Sequence, residues 1–297
     1  MVDSDTTKQP TGLDLYSQAA QKSAREVIYS YSTSFGMATR LIEPAIRKHI
    51  ESIYAMVRVA DEIVDGSAAE AATVEAKLDP EKEIENFERE CYQAMQLGYS
   101  TNLVLHAFGI TAREVGIKKD IVKPFFDSMK MDLTDTEHDE QSFKKYVYGS
   151  AEVVGLMCLR AFIYDRKYTS EQLQIMNEGA LALGSAFQKV NFLRDLSADF
   201  SKLGRSYFPN VNVGNFDEAT KKRLVADIES ELDKARNAIP LLPKTAARAV
   251  KAACELFGSL NKKIAKTDSS ELINTRISVA NGKKFLILAK SYLGAGR

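Results

Sequence analysis

The chain has 297 residues, 45% of them hydrophobic and 27% charged, with 40 basic against 40 acidic side chains. That length permits one large domain or two small ones with a real core, and the composition is that of an ordinary soluble globular protein. A net charge of zero argues against a nucleic-acid binder, which normally carries a basic excess.

The N-terminal stretch MVDSDTTKQPTG is polar and lacks an apolar core, so residues 1–13 are expected to be a flexible tail and no signal peptide. From there on, helix periodicity dominates and strand alternation is nearly absent. Helices are predicted at roughly 14–30, 45–65, 79–97, 101–115, 119–133, 140–164, 170–201, 217–238, 244–266 and 270–292. Six of the seven prolines fall at the joints of that series, as helix starts and loops require. Pro124 falls inside and should kink or restart its helix. The segment 66–77, GSAAEAATVEAK, reads as a mobile connection. With no internal repeat and no linker, the expected fold is a single all-α domain over 14–297.

The longest apolar run, VVGLMCLRAFIY, contains Arg160 and is too short to span a bilayer. Cys91, Cys158 and Cys254 are odd in number and far apart, and His49, His106 and His138 are as scattered. Neither a disulfide framework nor a zinc site is expected, and the expected compartment is the reducing cytosol.

Two stretches carry chemistry. In IYAMVRVADEIVDG, residues 53–66, three carboxylates crowd an otherwise apolar segment. On a helix, taking Asp61 as zero, Tyr54 lies at about +20°, Asp65 at about +40° and Arg58 at about +60°. Ile53, Val57, Ala60 and Val64 form an apolar band beside them, so this helix should sit inside the protein. Its acidic row then needs a cation. Arg58 alone could supply one, as in many salt-bridged helices.

The second stretch is LGSAFQKVNFLRDLSADF, residues 183–200. With Asp195 at zero, Asn191 falls at about −40°, Gly184 at about −20°, Gln188 at about +20° and Asp199 at about +40°. Both helices thus offer oxygen ligands and no soft ones, a set suited to Mg²⁺ or Mn²⁺. Magnesium is usually held by one or two carboxylates together with substrate phosphate. Two acidic rows facing each other, with Arg58 and Arg194 nearby, make a place for divalent cations and a diphosphate.

Residues 31–209 resemble the squalene/phytoene synthase family, the head-to-head prenyltransferases. The resemblance rests on STSF (Ser32 to Phe35), RVADEIVD (Arg58, Asp61, Asp65) and YVYGSAEVVG (to Gly155). It continues in QKVNFLRDLSAD and in GRSYFP (Gly204 to Pro209). Among members the chain looks most like bacterial, particularly actinobacterial, phytoene synthases. The resemblance implies an isoprenoid-synthase-type helical bundle with a central cavity. It implies that Asp61, Asp65, Asn191, Asp195 and Asp199 hold the metal cluster, and that Tyr148 lines the cavity near the reacting carbons. Ser32, Ser34, Arg58, Gln188 and Arg194 would contact diphosphate, with Arg276 and Lys284 closing over it late in the chain. Three positions depart from the pattern: Thr33, in the phosphate-contacting stretch, where many members are basic; Glu152, where they are small; and Phe257, where some carry tyrosine.

The activity implied is the coupling of two prenyl diphosphates, with Mg²⁺ (or Mn²⁺) and the arginines stabilising the departing diphosphate. For phytoene synthase the substrates are two geranylgeranyl diphosphates, joined through a cyclopropyl (prephytoene) diphosphate to 15-cis-phytoene, the first committed step of carotenoid biosynthesis. No NADPH is then expected. Squalene or dehydrosqualene synthase, using two farnesyl diphosphates, is the nearest alternative. A terpene cyclase fits the second motif only loosely, and a catalytically inactive helical assembly factor is the alternative of another class. Expected partners are the prenyl diphosphates and no nucleic acid. A cytoplasmic location is expected, with contact to the inner face of the membrane or to a membrane-bound desaturase; oligomeric state is not legible.

Overall fold

The computed structural model of the protein describes residues 9–71, 78–198, 207–211 and 215–278, with the backbone alone for Ser34, Ala69 and Ala198. Among the described residues the chain runs helix after helix, with no strand. The first half comprises α1 (Gly12–Tyr31), α2 (Thr33–Thr39), α3 (Pro44–Asp65), α4 (Ser67–Ala71), α5 (Pro80–Leu97), α6 (Leu103–Val115) and α7 (Lys119–Thr134). The second comprises α8 (Glu140–Val147), α9 (Val153–Ile163), α10 (Ser170–Ala198), α11 (Glu218–Ala238), α12 (Lys244–Lys266) and α13 (Ser269–Leu272). A π-helical turn, Tyr148–Glu152, joins α8 to α9.

Local chemistry sets the boundaries. Thr11 opens α1 in a capping box: its hydroxyl accepts from the Asp14 N–H at 3.1 Å while its own N–H donates to Asp14 Oδ2 at 2.8 Å. This satisfies two backbone donors that a bare helix start leaves unpaired. Asp79, Asn102, Asp139 and Asp217 cap α5, α6, α8 and α11 in the simpler way. Pro44 and Pro80 stand at first helical positions, where their missing N–H costs nothing. Gly98 and Gly116, at φ 71° and 75°, close α5 and α6 in the left-handed conformation that a side chain would resist.

Four expectations need correction. STSF opens a helix, α2, which hydrophobic periodicity could not mark in seven residues. Residues 67–71, within the expected connection, form α4. The helix α7 continues through Pro124 without a restart. The expected helix 270–292 ends at Leu272; residues 273–278 turn and continue without regular structure, and the remainder lies outside the described residues. The predicted helix 140–164 is one rod with the π turn in its middle. That rod, Glu140–Ile163, is long and apolar enough by length and composition to cross a bilayer, yet half of its most apolar stretch is buried in the protein. It is placed as a core helix.

Two apolar clusters form the core. One gathers α3, α5, α6, α7 and α9 around Ile53, Met56, Phe108, Phe125 and Met157. The other gathers α8, α10, α11 and α12 around Tyr146, Leu193, Ile228 and Ile264. A cavity of about 340 Å³ lies between them.

Candidate active site

The cavity wall is nearly all hydrocarbon. α3 contributes Ile50, Ile53, Tyr54 and Val57, and α10 contributes Leu183, Gly184, Phe187, Gln188 and Asn191. Phe35 of α2 stands between the two helices, 6.3 Å from the Tyr54 ring and 6.1 Å from Phe187. Phe257, one of the departures from the family pattern, stacks face to face on Phe187 at 3.8 Å and continues that aromatic wall. Both predicted acidic helices therefore border one chamber. Val57 and Asn191 are the last residues of α3 and α10 to line it. The partly exposed Asp61 and Asp195 follow one turn further on, at the end of the chamber that we take as its mouth.

Each acidic row is held by arginine. Arg58 donates from Nη1 to Asp61 Oδ2 at 2.7 Å and from Nη2 to Glu62, while its guanidinium lies 4.4 Å from the centre of the Tyr31 ring. Glu62 also accepts the Ser67 N–H at 3.0 Å, so the third carboxylate of the cluster caps α4. Burial pushes Asp61 up from its ordinary 3.8 to about 6; Arg58 opposes this, and Asp65 and Glu62 add to it. On the facing row, Asp195 accepts from Arg194 Nε at 2.9 Å and from Arg276 Nε at 2.6 Å. Like charges crowded at one mouth need such partners.

Tyr146 of α8 feels the α3 row through Asp65 and touches α10 through a ring contact. This phenol is 3% exposed and donates to Asp132 Oδ1 at 2.8 Å. Its ring lies 6.1 Å from Phe192 of α10. Burial, then Asp132, Tyr207 and Asp65 hold its hydroxyl well above the usual tyrosine range. Tyr207, after the second motif, stacks on Phe192 at 4.1 Å.

Not every predicted residue is placed as expected. Tyr148 is 40% exposed and does not line the cavity; Ser150 and Ala151, on the same π turn, do. Of the two tyrosines in YVYG, Tyr146 is the buried one, and neither lines the cavity. Ser32 uses its hydroxyl to cap α2, accepting the Phe35 N–H at 3.1 Å, and Thr33 is an exposed first residue of that helix. Glu152 sits beside Glu231 and Lys189, away from the cavity wall, and burial raises its pKa. Asp199, Arg205, Lys284 and the Ser34 side chain lie outside the described residues.

Sequence reasoning missed Ser150, whose hydroxyl is buried, unpartnered and on the cavity wall. A lone serine beside a glycine gives no signal of that kind.

A divalent cation fits the donor set. Among the described residues no group of three or more His, Cys, Asp or Glu comes together as a ready cation site. Yet Asn191 Oδ1 is buried at the mouth without a hydrogen-bond partner, a cost of about 1–3 kcal/mol unless something polar binds there. With Asp61 and Asp65 opposite and Asp195 one turn on, the available atoms are all hard oxygens.

The model of the squalene/phytoene synthase family matches residues 28–283. The 15-cis-phytoene synthase of Synechocystis sp. is 28% identical over 304 residues, covering 94% of this chain and 86% of that protein. Phytoene synthase 1 (chloroplastic) of Arabidopsis thaliana is 30% identical over 201 residues, 67% of this chain and 45% of its own; the chain thus spans under half the length of that plant relative. Among solved structures, a dehydrosqualene synthase in complex with ligand superposes with a TM-score of 0.75 at 19% identity, covering 95% of this chain and 99% of that one. Squalene synthase HpnC from Alicyclobacillus acidocaldarius does so with 0.71 at 18% identity, covering 88% and 97%. The helical fold is theirs, and the chain belongs to the squalene/phytoene synthase family.

Proposed function

We propose that this protein is a phytoene synthase, joining two geranylgeranyl diphosphates head to head through a cyclopropyl diphosphate to 15-cis-phytoene, with Mg²⁺ (or Mn²⁺) and without NADPH. The observation that carries the reading is an apolar chamber whose mouth lies between two acidic, arginine-bearing helix ends, in a chain matched over 94% of its length by a 15-cis-phytoene synthase. One all-α unit would contain the whole reaction.

Bound divalent cations would supply Lewis-acid stabilisation to a departing diphosphate. Asp61 and Asp65 would hold them from α3, and Asn191, Asp195 and Asp199 from α10. Arg58, Arg194 and Gln188 would contact phosphate oxygens, the arginines through charge-assisted hydrogen bonds. The hydrocarbon wall excludes water, which would quench an allylic cation. Phe35, Tyr54 and Phe187 turn aromatic surface toward it, which favours positive charge.

A product assay tests this. Purified protein with Mg²⁺ is incubated with C15 and C20 diphosphates separately, with and without NADPH. Phytoene from the C20 substrate is expected, with no dependence on NADPH. Efficient dehydrosqualene or squalene formation from the C15 substrate, with none from C20, would overturn it in favour of the C15 enzymes. Because substrate and product are lipids, we also propose a cytoplasmic protein that touches the inner membrane face or a membrane-bound desaturase.

A further inference from the structure

Both carboxylate oxygens of Asp195 are taken by guanidinium groups, Oδ2 by Arg194 and Oδ1 by Arg276. The two arginines are held very differently. Arg194 is the preceding residue on α10 and is 27% exposed, so it cannot move away from the helix end. Arg276 follows α13, is 68% exposed, and sits on a short segment without regular structure. That segment's backbone is fixed just beyond it. The Ile277 N–H donates to the Arg194 carbonyl at 3.3 Å, the Ile277 side chain is buried, and Lys263 Nζ donates to the Ser278 carbonyl at 2.9 Å. The main chain is tethered while the guanidinium is exposed. The corresponding arginine of the facing row, Arg58, is locked by Glu62 as well as Asp61 and lies over Tyr31.

One turn back from Asp195, Asn191 offers its buried, unpartnered Oδ1. A cation seated there needs a lone pair from Asp195 too, and the oxygen with the more exposed competitor is Oδ1. When Arg276 yields it, the guanidinium stays within side-chain reach of the mouth, because its neighbour Ile277 is tied to the end of α10. Its planar fork then matches phosphate oxygens.

We propose that Arg276 is a cation placeholder at Asp195: it neutralises the carboxylate until a divalent cation displaces it, and the released guanidinium then binds the diphosphate that arrives with that cation. The proposal rests on the reading of this mouth as a cation–diphosphate site and adds a coupling to it. Each ligand strengthens the other, by reciprocal factors.

Titration calorimetry on the full chain tests it, using Mn²⁺ alone and Mn²⁺ with inorganic pyrophosphate, on wild type, Arg276→Gln and Arg276→Lys, with circular dichroism to verify folding. Arg276→Gln should bind Mn²⁺ alone about three-fold more tightly, the scale of a partly exposed ion pair. It should bind pyrophosphate in the presence of Mn²⁺ about ten-fold more weakly. Arg276→Lys should fall between wild type and Arg276→Gln in both arms. Unchanged or weaker Mn²⁺ binding by Arg276→Gln would overturn the placeholder role, and unchanged pyrophosphate binding would overturn the transfer to diphosphate. Wild-type protein that binds no Mn²⁺ with or without pyrophosphate would instead sink the underlying reading of the site.

Discussion

Asp61 stores a cost that a bound cation would relieve. Its carboxyl is raised to about 6 chiefly by burial, even with Arg58 beside it, although over a third of the side chain reaches solvent at the mouth. Because the folded value lies above the unfolded one, the folded protein holds this proton to higher pH than the unfolded chain does. The ionised group therefore destabilises the fold above about pH 6, and that penalty disappears as pH falls toward 4. His49 acts in the opposite direction. Burial pushes it down to about 4, with Lys48 adding and Glu114 opposing, so stability present above its unfolded value of 6.5 is lost as pH falls toward 4. The difference between wild type and Asp61→Asn isolates the aspartate. In the absence of divalent cation, Asp61→Asn should melt about 2 °C higher at pH 7, with the gap narrowing below pH 6 and closing toward pH 4. A lower melting temperature for the variant at pH 7 would mean that the Arg58 pair outweighs burial.

At the scale of elements, the cavity exists because α10 approaches the π turn with nothing between the backbones. A Cβ on Gly184 would lie 2.5 Å from the Ala151 carbonyl oxygen, and one on Gly149 would lie 2.1 Å from that of Pro124. Backbone cannot yield as a flexible side chain does, so Gly184→Ala should cost about 1–3 kcal/mol through overpacking. Gly12→Ala, where a Cβ meets nothing within 4 Å, serves as the comparison and should leave the melting temperature unchanged. Equal melting of the two variants would show that the wall can shift. The same elements explain what was legible in advance. The long helices carry about three to eight turns of apolar periodicity, and Asn191 lines the chamber where helical phase puts it. α2 and α4 are too short to show a period, and a π turn leaves no trace in residue type; Tyr148, expected on the cavity from the family resemblance, stands 40% exposed. The described part of the expected last helix ends at Leu272, and a few residues on Ile277 bonds to the Arg194 carbonyl at the end of α10, a tertiary contact that no local pattern encodes.

For the molecule as a whole, the two apolar clusters leave a chamber whose length along α10 is the quantity that separates the candidate reactions. Its wall on that helix runs from Asn191 at the mouth back to Met176, fifteen residues and therefore about 22 Å at the rise of an α-helix. Ala180 lies on that wall eight residues before Gln188, about 12 Å deep. Its backbone carbonyl is pressed against Gly155, so α10 cannot retreat there to make room for a larger side chain. Phenylalanine at this position would fill the deep part of the chamber and leave the mouth, with Asp61, Asp195 and both arginines, untouched. Ala180→Phe should therefore retain cation and pyrophosphate binding. It should lose C20 coupling by ten-fold or more, on the order of 1.4 kcal/mol in the transition state, while C15 coupling, measured on the same preparation, falls much less. Steady-state rates with the two diphosphates give that ratio directly. Equal losses with both, or no loss with either, would mean that the prenyl tails do not run along α10, and the length of this wall would no longer bear on which substrate the enzyme takes.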